Sequence, residues 1–159
     1  MTMPSWSYPA PTELRPPDDP DGEPPTALLR RLGLTPTRGR LAILEQLTPD
    51  QPLTSTRDLH QRLTQLHCPV GLATVYRTLR ALADAGILHT FIVGHEVTYH
   101  RCSPRHHHHI VCIRCGHVWE EHPHAVEHWV DHAVQTHHAQ LIEHRADIFV
   151  ICHTCDTSP

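Results

Sequence analysis

The 159-residue sequence contains no lysine: all 13 basic residues are arginine. That leaves only the planar guanidinium, which suits bidentate and stacked phosphate contacts better than diffuse attraction. No stretch approaches the roughly 18 consecutive apolar residues of a helical membrane span, so none is expected. The first 25 residues have neither a basic start nor an apolar run, so no secretory signal is expected and the cytoplasm is the expected compartment. A nucleophile elbow and a Gly-rich phosphate loop are both missing. His95-Glu96-Val-Thr-Tyr-His100 has the residue types of a zinc hydrolase motif, but one residue too many separates Glu96 from His100. It also reads as a turn and strand, whereas that chemistry needs both histidines on one helical face. An enzyme is therefore not expected.

The net charge of −4 hides an asymmetry. Residues 1–25 carry one Arg and five acids (−4), residues 26–105 ten Arg and five acids (+5), and residues 106–159 two Arg and seven acids (−5). Only the middle segment suits a polyanion. Histidine is the outlier in composition: of 18, 13 lie between His106 and His153, alongside four of the six cysteines arranged as two Cys-x-x-Cys pairs. In a reducing compartment such pairs are read as metal ligands rather than disulfides.

Residues 1–25 hold eight prolines and almost no helical pattern, which predicts a disordered acidic tail. A short helix is expected around Ala27–Leu32, ending at Gly33, and a second from Thr35-Pro36 through Leu47 with Leu41, Leu44 and Leu47 on one face. Ser55, with Asp58 three residues on, is placed to cap a third helix whose stripe is Leu59, Leu63 and Leu66. The fourth runs Gly71–Ala85 and stops at Gly86. Its expected buried stripe is Leu72, Val75, Leu79 and Leu82, with Thr74, Arg77 and Thr78 on the more polar side. Two β-rich runs follow, 87–93 and 97–101, joined by a turn at Gly94-His95-Glu96. Helices followed by a β-hairpin in a basic segment outline a winged helix-turn-helix over residues 26–102. Residues 103–159 read as a small α/β domain: strands at His108–Cys112 and His117–Glu120, an amphipathic helix from about Pro123 (Val126, Trp129, Val130, Ala133, Val134), and a last strand over 141–151. Its acidic charge argues against DNA, and a sheet edge is available for dimer pairing. The fold class is α+β.

Cys112-x-x-Cys115 and Cys152-x-x-Cys155 supply four thiolates, which satisfy tetrahedral Zn²⁺ with no position left for substrate, so this site is expected to be structural. The 36 residues between the pairs require a helix and strand to be inserted. His106–His109 leads directly into a strand. Along an extended chain successive side chains alternate faces, so His106 and His108 point one way and His107 and His109 the other. Two pairs of imidazoles on opposite faces seed two different metal sites; the plainer alternative is a solvated His-rich loop. Cys68, with no partner motif, reads as an ordinary buried thiol, and His117, His122, His124, His128, His132, His137, His138 and His153 as exposed.

Leu34-Thr-Pro-Thr-Arg-Gly-Arg-Leu-Ala-Ile-Leu44, Gly71-Leu-Ala-Thr-Val-Tyr-Arg-Thr-Leu79 and Cys102-Ser-Pro-Arg-His-His-His-His-Ile-Val-Cys-Ile-Arg-Cys115 resemble the Fur family of metal-responsive repressors, over about residues 26–155. The resemblance implies structural zinc on Cys112, Cys115, Cys152 and Cys155. It also implies a regulatory hinge site on His89, Cys102, His107 and His109, with His95 and His100 as the nearest substitutes for His89. A second site in the dimerisation domain would use His106, His108, Glu127 and His144. It implies two or three Zn²⁺ per chain, a homodimer on palindromic double-stranded operator DNA, and no membrane partner. DNA contact would fall to Thr74, Tyr76 and Arg77, with Arg38 and Arg40 on the backbone; Tyr76 could equally pack in the core, since it follows the buried Val75. Cys102 points to the zinc-sensing (Zur) branch, because a thiolate among imidazoles is softer than the oxygen ligands of related iron and peroxide sensors. The implied function is a zinc-responsive repressor of zinc-uptake genes. The alternatives are an iron or nickel sensor of the same family and a zinc buffer that does not bind DNA.

Overall fold

The computed structural model describes residues 23–103 and 105–157, so the tail expected at the N-terminus lies, up to residue 22, outside the described residues. The order is α1 (Pro25–Arg31), α2 (Arg38–Glu45), β1 (Thr54–Ser55), α3 (Thr56–Gln65), α4 (Leu72–Asp84), β2 (Leu88–Val93), β3 (Glu96–Arg101), β4 (His108–Cys112), β5 (Val118–Glu121), α5 (His124–Thr136), β6 (Asp147–Val150) and α6 (His153–Asp156). Pro25, expected in the tail, opens α1 instead, where its missing N–H costs nothing, and Glu23 pairs with Arg31 at 2.7 Å. The capping box at α3 is complete: the Ser55 hydroxyl accepts from the Asp58 N–H while the Asp58 carboxylate accepts from the Ser55 N–H. Gly86 takes the left-handed conformation (φ +71°) just past α4 and turns the chain into β2.

Two three-stranded sheets form, in the orders β1-β3-β2 and β5-β4-β6. The first is antiparallel; in the second β4 pairs antiparallel with β5 and parallel with β6. The main core belongs to the first half, where Leu29, Ile43, Leu59, Leu63, Val75, Leu79 and Leu82 are fully buried between the helices. Leu79→Ala should cost about 2–5 kcal/mol, read as a lower denaturation midpoint at unchanged m-value; a cost under about 1 kcal/mol would show that the site is not close-packed.

Several expectations need correction. Leu72 and Leu66, assigned to buried stripes, are exposed, whereas Thr78, assigned to the polar side of α4, is fully buried and donates its hydroxyl to the Thr74 carbonyl at 2.8 Å. That back-bond satisfies its only donor, so a hydroxyl occupies a core position without an orphan. The last strand is four residues rather than eleven, because β6 finds ladder partners only along the short β4, from His109↔Asp147 to Cys112↔Val150. Strand β1 was not anticipated: Thr54 and Ser55 pair with Tyr99 and Thr98. Of the apolar stripe on α5 only Val130 is buried, and Trp129 is 68% exposed.

Candidate metal centres and nucleic-acid face

Among the described residues, three four-membered clusters of metal-ligating side chains lie on or beside the second sheet, and each brings its ligand atoms within 4.8 Å of one another. The first is Cys112, Cys115, Cys152 and Cys155. Cys112 ends β4, and the chain turns back through Gly116 (φ +73°), whose carbonyl accepts the Leu53 N–H at 2.7 Å and so ties this turn to the loop before β1. A side chain there would need a strained conformation and meet Leu53 backbone at 3.3 Å. Cys152 N-caps α6 and Cys155 lies within it. The Cys115 and Cys152 sulfurs are 3.8 Å apart, and all four thiols are free. Backbone N–H groups of Cys115 and Cys152 stabilise the Cys112 thiolate and lower its pKa to about 6. Sulfurs converging under backbone donors fit a closed thiolate site for a soft divalent ion.

The second cluster gathers His89 from β2, Cys102 from the segment after β3, His107, and His109 from β4. His109 Nδ1 donates to Asp147 Oδ1 at 2.8 Å, and His107 Nδ1 donates to the Arg105 carbonyl. These bonds fix both tautomers, so each Nε2 presents a bare lone pair; the two Nε2 atoms face each other at 2.9 Å, and Cys102 Sγ lies 3.3 Å from that of His109. The Cys102 thiol can donate to only one of these two lone pairs, whereas a cation among the three groups would satisfy them together. His89 adds a buried Nδ1 with no hydrogen-bond partner. The residues present fit a divalent ion held by three imidazoles and one thiolate.

Burial sets the protonation of this cluster. It lowers His89 to about 4 and lowers His109, so both imidazoles are neutral near pH 7, while it raises the Cys102 thiol well above its usual range. Binding an ion as thiolate therefore expels the proton of Cys102 and none from His89 or His109. With the four-cysteine site already filled, zinc uptake here should release at least the Cys102 proton, and apparent affinity should rise as the pH goes up through neutrality and fall as it drops. Calorimetry in buffers of different ionisation enthalpy counts that proton; a release near zero would rule out thiolate ligation by Cys102.

The third cluster is His106, His108, Glu127 and His144. Glu127 is its centre: Oε1 lies 3.1 Å from His106 Nε2 and 2.8 Å from His108 Nε2, and Oε2 lies 3.1 Å from His144 Nε2. The hydrogen bond from His108, with those from His144 and His106, lowers the Glu127 pKa. His106 and His108 thus lie on one side of the chain and His107 and His109 on the other, with ring centroids 5.0 Å and 4.6 Å apart within each pair. The eight histidines expected to be exposed are exposed; His95 is too, outside all three clusters. Cys68 is half-buried against the main core.

Sequence reasoning missed Asp147 and Glu120. Both sit directly opposite His109, Asp147 on β6 and Glu120 on β5, and only the strand register reveals it.

On α4, Tyr76 is 48% exposed, so it does not pack in the core. Arg77 beside it is exposed and Thr74 half-buried. Arg38 is exposed at the start of α2, while Arg40 donates to the Thr35 carbonyl at 2.8 Å. No helix among the described residues is long and apolar enough to cross a membrane.

Residues 31–149 match the ferric uptake regulator family. The chain is 37% identical over 124 residues to the zinc uptake regulation protein of Mycobacterium tuberculosis, covering 77% of this chain and 95% of that protein. It is 36% identical over 127 residues to the ferric uptake regulation protein of Escherichia coli, covering 78% and 85% respectively. The crystal structure of the Vibrio cholerae ferric uptake regulator aligns with a TM-score of 0.68 at 32% identity, covering 80% of this chain and 98% of that one. Proteins of this family are transcription regulators rather than enzymes, which removes the hydrolase reading. From a family match over residues 31–149 and the fold shared with that structure, the chain belongs to the ferric uptake regulator family and is a metal-responsive regulator.

Proposed function

We propose that this chain is a zinc-responsive transcriptional repressor that binds palindromic operator DNA as a homodimer and controls zinc-uptake genes. The observation that carries the reading is the cluster of His89, Cys102, His107 and His109, which draws ligands from both sheets and from the segment between them. A thiolate among imidazoles favours zinc over harder ions, and 37% identity to a zinc uptake regulation protein supports the same metal. The four-cysteine cluster serves as structural zinc, and His106, His108, Glu127 and His144 as a second site, giving two or three ions per chain.

In this reading residues 26–102 bind DNA and residues 103–159 dimerise. Tyr76 reads thymine methyls, Thr74 and Arg77 a base edge or phosphate, and Arg38 and Arg40 the backbone. Dimerisation is supported by the apolar surface of the second half: Trp129, Ile142, Ile148 and Phe149 are all about half exposed or more, too much for an isolated domain of this size. His89 on the hairpin, His107 just before the second sheet and His109 on it share one ion, so their convergence fixes the hairpin and α4 relative to the dimer. Without it the DNA-reading helices sample many separations, and operator binding must supply the ordering entropy. Couplings of this kind are about 1–3 kcal/mol, or roughly 5–150-fold.

The test is binding to an AT-rich palindromic duplex against buffered free Zn²⁺, Fe²⁺ and Ni²⁺, at fixed salt. Zinc should switch on binding at the lowest free concentration, and Arg77→Ala should weaken the zinc-loaded complex. Activation by iron or nickel at lower concentration than zinc would move the chain to another branch of the family. Failure to bind selectively under every metal would make it a zinc buffer.

A further inference from the structure

Three of the histidines left outside the clusters fall on one element at one spacing. His124, His128 and His132 sit at i, i+4 and i+8 of α5, a helix of 13 residues. At about 100° per residue they fill a strip roughly 80° wide, each imidazole one turn above the last. The strip faces away from the protein. Val130, on roughly the opposite side, is the one buried residue of the helix, and all three histidines are exposed. Asp131, three residues after His128 and also exposed, adds a carboxylate beside them. None of the four belongs to any cluster described above.

Two imidazoles one turn apart on a helix form a chelate whose spacing the backbone sets in advance. The run of three gives two overlapping pairs, and His128 is common to both. Two imidazoles leave the remaining positions of a tetrahedral ion to water or to the Asp131 carboxylate, so this site binds more weakly than four protein ligands and fills after them. The helix itself is lightly held. Its N-cap, Pro123, offers no side-chain bond to the first turn, and Trp129 beside Val130 is 68% exposed. A helix of this length is marginal in water without tertiary support. Its firmest polar anchor is Glu127, which reaches His106, His108 and His144.

We propose that His124, His128 and His132 form an accessory zinc site on the outer face of α5, which takes one further ion once the clusters are filled and staples the helix that carries Glu127. The site stands apart from the repressor reading and does not depend on it. Chelation needs helical spacing, so the ion binds the formed helix and not the frayed one. It therefore shifts that local equilibrium by one plus the ratio of free zinc to its dissociation constant. Surplus zinc thus holds Glu127 in place for the third cluster, on the side of the helix away from the strip.

Full-length protein with its clusters loaded, titrated with further Zn²⁺, tests this through bound metal and hydrogen exchange of the α5 amides. Wild type should take up one ion that His128→Gln does not. At free zinc about ten times the dissociation constant of that ion, the α5 amides should exchange about tenfold more slowly. His128→Gln removes the imidazole shared by both pairs, and His124→Gln/His132→Gln leaves a lone one. Both alter exposed side chains only, so they should keep the cluster ions and lose the extra ion and the slower exchange. His95→Gln, an exposed histidine at the hairpin turn, should lose neither. Uptake and exchange in His128→Gln equal to wild type overturn the proposal. An extra ion that leaves α5 exchange unchanged is an adventitious ion only and overturns it too. Neither result touches the hinge cluster or operator binding, which are read separately.

Discussion

Cys112→Ser should abolish zinc at the four-cysteine site and unravel the second sheet while leaving the helical half folded. The reason is how little else holds residues 105–157 together. Among them the buried apolar side chains are Val111, Cys112 and Val130, whereas the large cluster around Leu29, Leu59 and Leu79 lies wholly in the first half. The sheet's C-terminal end closes through Cys112 itself: Ile113 N–H donates to the Val150 carbonyl at 2.9 Å, and Cys152 N–H donates to the Cys112 sulfur at 3.4 Å. Helix α6, which presents Cys152 and Cys155, has four residues and cannot stand alone. Structural zinc in small domains supplies on the order of 10–16 kcal/mol of apparent binding free energy, more than such a domain's whole stability. Zinc stoichiometry, gel filtration and hydrogen exchange on the same variant would show one ion fewer, loss of the dimer, and protection kept only in α1–α4 and the sheet packed on them. A variant that remains dimeric with full zinc content would show that the thiolates do not carry the domain.

Cys102→Ser should give the opposite pattern, a folded dimer that no longer responds to zinc. Cys102 makes no contact on which either core depends, and serine preserves its size. A neutral hydroxyl is a poor zinc ligand, so three imidazoles would remain without the thiolate that neutralises half the ion's charge. Operator affinity at saturating zinc should fall by roughly 5–150-fold, to the level of the metal-depleted wild type, with four-cysteine zinc and the thermal midpoint little changed. Affinity measured by anisotropy at one salt concentration reads this directly, because the phosphate contribution is then held constant. An unchanged zinc response in Cys102→Ser would take Cys102 out of the switch.

Much of the fold was legible because it rests on local physics. The α3 capping box, the glycine stop after α4, the hairpin and β4 follow from capping geometry, left-handed turns and side-chain period. The failures lie where partners far along the chain decide. Periodicity gave the last strand eleven residues, and the length of β4 cut it to four. It gave Thr78 to the surface, and a bond to the Thr74 carbonyl let it enter the core.

For the metal sites the division is sharper. The sequence by itself determined which side chains are candidate ligands and of what kind: four thiolates at Cys-x-x-Cys spacing, and a run of four histidines that extended backbone must split two and two. These are consequences of bond lengths and of the alternation of side chains along a strand, and they hold whatever the tertiary structure. Tertiary structure alone decided which partners complete each set and which groups orient them. His89 meets Cys102, Asp147 fixes the His109 tautomer, and Glu120 comes within 3.8 Å of His107, because strand registers bring residues from 11 to 38 positions apart onto one face. Register depends on the whole sheet packing at once, and no local pattern in the chain encodes it.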